Sequence, residues 1–276
     1  MTDHTQTARR LADHVAIVTG GGRGIGRAIA LMLADAGAAV AVTARSTAEI
    51  DETAALITAR GGRTIAVAAD VTDADGVARA VAETETRLGS ASILVNNAGI
   101  SGPDTPLWET DPDDWWRTIE VNLRGPMLCA RAVLPAMVRS GRGTIINIGS
   151  YAGVRPDSGG FGAYATSKAA LVRFTDSLAA SAGAHGVGVF TVSPGLVHTA
   201  MTDASDLFQG IPQSEWSPPE QVAQLVVRLA AGDGARLNGR FIHVADDLDE
   251  LVREADRIER EGLYTLRLLK LSGPEE

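Results

Sequence analysis

Short runs of β-branched and aliphatic residues recur along this chain with helical patterns between them, and that alternation limits the fold more than any other feature. The apolar runs occupy residues 14–19, 39–43, 64–69, 93–96, 143–149, 187–193 and 240–244. They are continuously apolar rather than alternating, as in strands buried on both faces. Helical spacing fills residues 25–36, 47–60, 74–88, 112–138, 163–184 and 219–231. Strand, helix, strand in this rhythm predicts an α/β fold: a doubly wound parallel sheet of seven strands with helices on both faces. No internal repeat, low-complexity block or linker interrupts it. One domain is expected over residues 13–246, after a loose tail over residues 1–12.

Two stretches break the rhythm. Residues 200–218 contain Pro, Gly and Ser with isolated Phe208 and Trp216. This reads as a long excursion from strand to helix, a form often used as a lid. Beyond residue 246, Leu248, Leu251, Val252, Ala255 and Ile258 follow helical spacing among acidic residues and arginines. They predict a C-terminal amphipathic helical extension over residues 247–276, packed on this chain or on a partner.

Only 4% of residues are aromatic against 45% apolar overall, so the core must be mainly aliphatic. The net charge of −9 argues against a nucleic-acid or anionic-membrane surface. Cys129 is the sole cysteine, which forbids an intrachain disulfide; it reads as a small buried apolar residue in a reducing, cytoplasmic setting. Residues 1–13 lack the apolar centre of a secretory leader, and no run approaches the ~20 apolar residues of a membrane span. The histidines have no metal-ligand spacing, so no metal is expected; His198 reads as an ordinary loop residue.

The first apolar run ends in Thr19-Gly20-Gly21-Gly22-Arg23-Gly24-Ile25-Gly26, and a helix follows. A strand, a glycine-rich turn and a helix N-terminus make a ready anion site, because free backbone N–H groups and the helix dipole both favour negative charge. Glycines there permit positive φ and close approach of a pyrophosphate.

The spacing T-G-x-x-x-G-x-G resembles that of the short-chain dehydrogenase/reductase family in its short single-domain branch, a Rossmann-like fold. Further motifs match in the family's order. They are Asp70-Val71 after the third strand, Asn96-Asn97-Ala98-Gly99 ending the fourth, and Asn122 in the next helix. Ser150 follows at the end of the fifth strand, then Tyr164 and Lys168 as Y-x-x-x-K, and Pro194-Gly195 after the sixth. The resemblance implies an NAD(P)-dependent oxidoreductase. It places cofactor contacts at Gly20, Gly22, Arg23, Gly24, Ile25, Gly26, Arg45, Asp70, Val71, Asn97, Ala98, Gly99, Tyr164, Lys168, Pro194, Gly195, Val197 and Thr199. Thr199 would meet the nicotinamide carboxamide.

In this fold an acidic residue at the end of the second strand binds the ribose 2′-OH, whereas Arg accommodates a 2′-phosphate. Here Ala44 stands at the acidic position, with Arg45 next and Arg23 in the glycine loop. Two guanidinium groups can make charge-assisted contacts with one phosphate, so NADP(H) is expected, with NAD(H) the alternative.

Hydride transfer is the cofactor's chemistry, and the protein supplies orientation and a proton. Tyrosine has a pKa of about 10, and an adjacent ammonium lowers it. Lys168 shares a helix face with Tyr164 and is expected to act this way; the resemblance implies that it also reaches the cofactor ribose. Ser150 would hydrogen-bond the substrate oxygen. The resemblance gives Asn122 the job of holding a water that leads protons towards Lys168. The substrate class is a ketone, aldehyde or secondary alcohol, with pocket walls at 100–108, 151–161 and 200–216 that include Trp108, Tyr151, Phe161, Phe208 and Trp216. A cofactor-binding sensor or scaffold without turnover is one alternative; a lyase or epimerase on the same fold is another. Family members often assemble as tetramers, partly through the C-terminal end. The extension here makes a dimer the other expected homo-oligomer.

Overall fold

The structure, a computed structural model, describes residues 10–156, 162–203, 205 and 208–268. Its strands are β1 (Val15–Thr19), β2 (Ala39–Ala44), β3 (Thr64–Ala68), β4 (Ile93–Asn96), β5 (Gly143–Ile148), β6 (Val187–Ser193) and β7 (Phe241–His243). They form one seven-stranded sheet in the order β3-β2-β1-β4-β5-β6-β7, with every pairing parallel. The expected fold class is thus the observed one.

The period-2 geometry of a strand sends successive side chains to opposite faces, and both faces are covered. Ala16, Val18, Val40 and Val42 pack beneath α1 (Gly24–Asp35), α2 (Thr47–Ala59) and α8 (Pro219–Ala230). Ile17, Ala41 and Leu94 pack beneath α3 (Ala74–Arg87), α5 (Gly125–Ser140) and α6 (Gly162–Ala182). Helix starts carry local signals. Asp73 accepts from Asp75 N to cap α3, and Asp111 accepts from Asp113 N to cap α4 (Pro112–Ile119), whose first turn holds Pro112.

Three expectations need correction. The helix read over 112–138 is two helices, α4 and α5, joined by a π-helical turn at Glu120–Arg124. In an α-helix the N–H of residue 126 would bond the carbonyl of Asn122, but residue 126 is proline and has none. The chain winds instead so that Gly125 N bonds Glu120 O. Residues 10–12 do not belong to a loose tail. Leu11 is fully buried, Leu11 N bonds Ala36 O at 2.9 Å, and Arg10 pairs with Asp233. The amphipathic C-terminal pattern is two short helices rather than one, α9 (Leu248–Arg253) and α10 (Ala255–Glu261). They pack on this chain, with Leu248, Leu251, Ala255 and Ile258 buried against the α8 side of the core. Beyond them Phe241 N bonds Tyr264 O at 2.9 Å, which lays the following segment beside β7.

The 200–218 excursion contains α7 (Ala200–Asp203) and a 3-10 turn at Gln213–Glu215. It returns through a bridge between Leu196 and Trp216. β1 lies between β2 and β4, so the connections after β1 and β4 depart in opposite directions. That leaves a crevice at their carboxyl ends, where ligands of open α/β sheets bind.

Candidate active site

The glycine loop after β1 is stitched to the end of β4. Thr19 Oγ1 accepts from Asn97 N (3.0 Å) and Ala98 N (3.1 Å), and Asn97 Nδ2 donates to Thr19 O (2.9 Å) and Gly20 O (3.1 Å). These bonds bring the loop so close that side chains are barred. A Cβ at Gly26 would lie 2.2 Å from Gly20 O and 2.4 Å from Asn97 Nδ2. Gly20 has φ +64° and backs onto Ala98, where a Cβ would come within 2.9 Å of its Cα. Arg27 braces the loop from behind, with Nε and Nη2 on Gly22 O at 2.9 and 2.6 Å.

A groove of about 690 Å³ opens over this loop. Gly20, Gly22, Arg23, Gly24, Ile25, Gly26, Arg45, Asp70, Val71, Asn97, Ala98, Gly99, Tyr164, Lys168, Pro194 and Thr199 all line it. Gly195 and Val197 do not. Gly195 turns the chain at φ +73° against Ser217 and Val244, and Val197 is buried. The groove suits a dinucleotide: it begins at a helix N-terminus, and Gly20, Gly22, Gly24 and Gly26 line it there.

At the far end, Gly153 lets α6 approach the 3-10 turn Tyr151–Gly153. A Cβ there would meet the Lys168 carbonyl carbon at 2.6 Å and Ala169 N at 2.7 Å. Ser150 caps that turn, accepting from Ala152 N at 3.2 Å, and is hydrogen-bonded to Tyr164. Lys168 is buried, donates from Nζ to Ile148 O at 2.8 Å, and stands 5.5 Å from the centre of the Tyr164 ring. Beneath, Asn147 Nδ2 and Thr191 Oγ1 both donate to Thr175 Oγ1, at 2.8 and 2.7 Å, fixing α6 on β5 and β6.

Burial lowers the Lys168 ammonium to about 8, because no counter-charge among the described residues offsets its desolvation. Burial also raises the Tyr164 phenol above its ordinary value, against the hydrogen bond with Ser150. The direction is opposite to the lowering expected from a neighbouring ammonium, and Ser150 is the group that opposes the rise.

Asn122 is held firmly by its side chain. Its amide is fully buried, with Oδ1 accepting from Ile100 N (2.9 Å) and Nδ2 donating to Ile100 O (2.9 Å) and Ser167 Oγ (3.0 Å). The side chain ties the loop after β4 to α6 and does not line the groove. Asp70 is likewise occupied, accepting from Thr72 N and Oγ1 at 2.9 and 2.7 Å. Burial pushes this carboxyl up, but those bonds and the charges of Arg45 and Arg117 hold it below the usual carboxylate range.

Among the wall residues, His198 lines the groove and stacks on Trp216 with ring centres 3.7 Å apart, and Phe208 meets the same indole edge-on. Trp108 is 84% exposed and Tyr151 56%, so neither forms an enclosed wall; Phe161 lies outside the described residues. Sequence reasoning missed Glu49, which lines the groove beside Arg23. It also missed Gly153, Ser167 and Thr175, whose places depend on contacts between distant segments.

The short chain dehydrogenase family model matches residues 14–209. A short chain dehydrogenase of Pseudocercospora fijiensis is 37% identical, over 94% of this chain and 90% of its own. A blue fluorescent protein from a metagenomic library, solved in complex with NADPH, is 36% identical with a TM-score of 0.78, covering 86% of this chain and 98% of that one. A 3-oxoacyl-[acyl-carrier protein] reductase from Brucella melitensis with bound NAD is 31% identical with a TM-score of 0.79, covering 88% and 94%. Sequence, topology and the crevice between β1 and β4 agree, and this chain is a member of the short-chain dehydrogenase/reductase family of oxidoreductases.

Proposed function

We propose that the protein is an NADP(H)-dependent oxidoreductase that interconverts a ketone or aldehyde and the corresponding alcohol. The observation that carries this reading is the convergence of Ser150, Tyr164 and Lys168 at one end of a glycine-floored groove. When bound, the nicotinamide supplies or accepts the hydride. The protein's share is the proton. Tyr164, a phenol protonated at neutral pH, gives its phenolic proton to the developing alkoxide in the reductive direction. Ser150, already bonded to Tyr164, orients the substrate oxygen. Lys168 carries a positive charge below about pH 8 and stabilises the phenolate left behind. Asn122 is a positioning residue that holds Ile100 and Ser167. Gly20, Gly22, Gly24, Ile25 and Gly26 would receive the pyrophosphate, with Asp70, Val71, Asn97, Ala98, Gly99, Pro194 and Thr199 along its flanks.

The NADP(H) preference is supported by the other end of the groove. No carboxylate ends β2; Ala44, Arg45 and Ser46 line the groove there, with Arg23 beside them. Ser46 precedes α2 and makes no side-chain cap bond, so its hydroxyl and the first N–H groups of that helix suit a phosphate. A homo-oligomer, dimer or tetramer, is proposed from the family resemblance. Trp116, Met127 and Val138 of α4 and α5 are exposed apolar side chains that assembly would cover. No helix among the described residues is long and apolar enough to cross a membrane.

The test is to mix the protein with NADPH and a panel of carbonyl compounds and follow loss of cofactor absorbance, then repeat with NADH. Tyr164→Phe should lower turnover by at least a hundredfold, the scale of a lost general acid, while NADPH still binds. Near wild-type turnover in that variant would remove Tyr164 from the chemistry. A higher kcat/KM with NADH would refute the cofactor preference.

A further inference from the structure

Glu49 occupies a place that its sequence context does not explain. Ser46-Thr47-Ala48-Glu49 has the S-x-x-E spacing of a capping box, in which serine and glutamate bond back to the ends of the same helical turn. Ser46 makes no such side-chain bond, and Glu49 turns towards the glycine loop. Its Oε1 accepts from Arg23 Nη1 at 3.3 Å. Its Cβ lies 2.7 Å from where a Cβ of Gly22 would stand, and Oε2 lies 3.3 Å from the same point. Thr53 Oγ1 bonds Glu49 O at 3.1 Å and Gly22 O at 3.2 Å, so backbone and loop are pinned together beneath the carboxylate.

The carboxylate therefore lies at the end of the groove where Arg23, Arg45 and Ser46 gather. Arg23 is 67% exposed and its partner 35%, an ion pair that water screens and that can exchange readily. A phosphate that recruits Arg23 must take it from Glu49 and then sit near a like charge. An unphosphorylated ribose presents hydroxyl donors, which a carboxylate accepts.

We infer that Glu49 is the residue that sets the balance between the phosphorylated and unphosphorylated cofactor. Its carboxylate competes with a ribose 2′-phosphate for Arg23 and accepts from the hydroxyls of a ribose that lacks one. This rests on the reading of the groove as a nicotinamide-dinucleotide site, but not on which of the two cofactors the wild-type protein prefers.

The experiment is calorimetric titration of wild type, Glu49→Gln, Arg23→Gln and the double variant with 2′,5′-ADP and with 5′-ADP. Removing one like charge beside a bound phosphate should tighten 2′,5′-ADP about tenfold in Glu49→Gln, with no tightening of 5′-ADP. In the Arg23→Gln background the gain should shrink to the part that comes from like-charge relief, since the contested guanidinium is gone. An unchanged ratio of the two affinities, or equal tightening of both nucleotides, would overturn the role given to Glu49. Should wild type favour 5′-ADP while Glu49→Gln still shifts the ratio, the NADP(H) preference fails and the role of Glu49 stands. A wild type that favours 2′,5′-ADP with no shift in Glu49→Gln overturns the role of Glu49 and leaves the cofactor preference standing. Failure of both nucleotides to bind any variant would overturn both.

Discussion

Replacing Lys168 by methionine isolates the cost of keeping an ammonium in the site. The lysine has an ordinary value of 10.5 and is lowered to about 8 by burial. That gap corresponds to about 3 kcal/mol against the charged form in the folded state. The unfolded chain holds the proton up to 10.5 and the folded protein only to about 8, so between those values the unfolded state binds more protons. Stability contributed by this group therefore rises with pH across that window. The cost is complete below about pH 8 and gone above 10.5. Methionine fills a similar volume and has no charge to desolvate. It also loses the bond from Nζ to Ile148 O, but a neutral amine can donate that bond too, so this loss has little dependence on pH. Urea unfolding of both proteins, followed by tryptophan emission, should show wild type gaining on Lys168→Met by about 2 kcal/mol between about pH 7 and pH 9.5. Taking the difference between the two proteins cancels groups that titrate alike in both. A difference that stays flat over this range would refute the claim that Lys168 is desolvated without a counter-charge.

Gly26→Ala should weaken dinucleotide binding at least tenfold and cost about 1–3 kcal/mol of stability through overpacking, because its Cβ would meet Gly20 O at 2.2 Å. Gly162→Ala, where nothing lies within 4 Å, should leave nucleotide affinity unchanged; equal loss in both variants would mean that the loop is not built on close approach. Truncation after Asp247 removes Leu248, Leu251, Ala255 and Ile258 from the core. At about 1.5–3 kcal/mol for each fully buried large apolar side chain, the shortened chain should lose most of its stability; a thermal midpoint within a few degrees of wild type would show the extension to be dispensable for folding.

The site bears on the alternatives to turnover. A sensor or scaffold needs the glycine loop and the groove but has no use for a buried lysine, whose desolvation works against the fold. Lys168 within 5.5 Å of the Tyr164 ring, with Ser150 bonded to the phenol, is the arrangement that the proposed proton transfer requires.

The strands, the parallel class of the sheet, the glycine loop and the helical spacing of Tyr164 and Lys168 are all legible in the amino-acid order. Each is written at short range: continuous apolar runs, glycines where no Cβ fits, residues four apart on one helix. Other features exist only once distant segments meet. The π turn at Glu120–Arg124 could have been suspected from Pro126, which cannot donate to Asn122. That the Asn122 amide is then spent on Ile100 and Ser167 depends on segments 22 and 45 residues away. The fate of Leu11 and of the C-terminal pattern was equally hidden, because amphipathicity states that a face will be buried and not against what. Glu49 is the sharpest case. Its local pattern calls for a helix cap, and only the packing of α2 against the glycine loop turns its carboxylate to Arg23. The titration of Tyr164 and Lys168 follows the same rule. Spacing makes them neighbours, but desolvation by the folded chain sets the direction in which each titration moves.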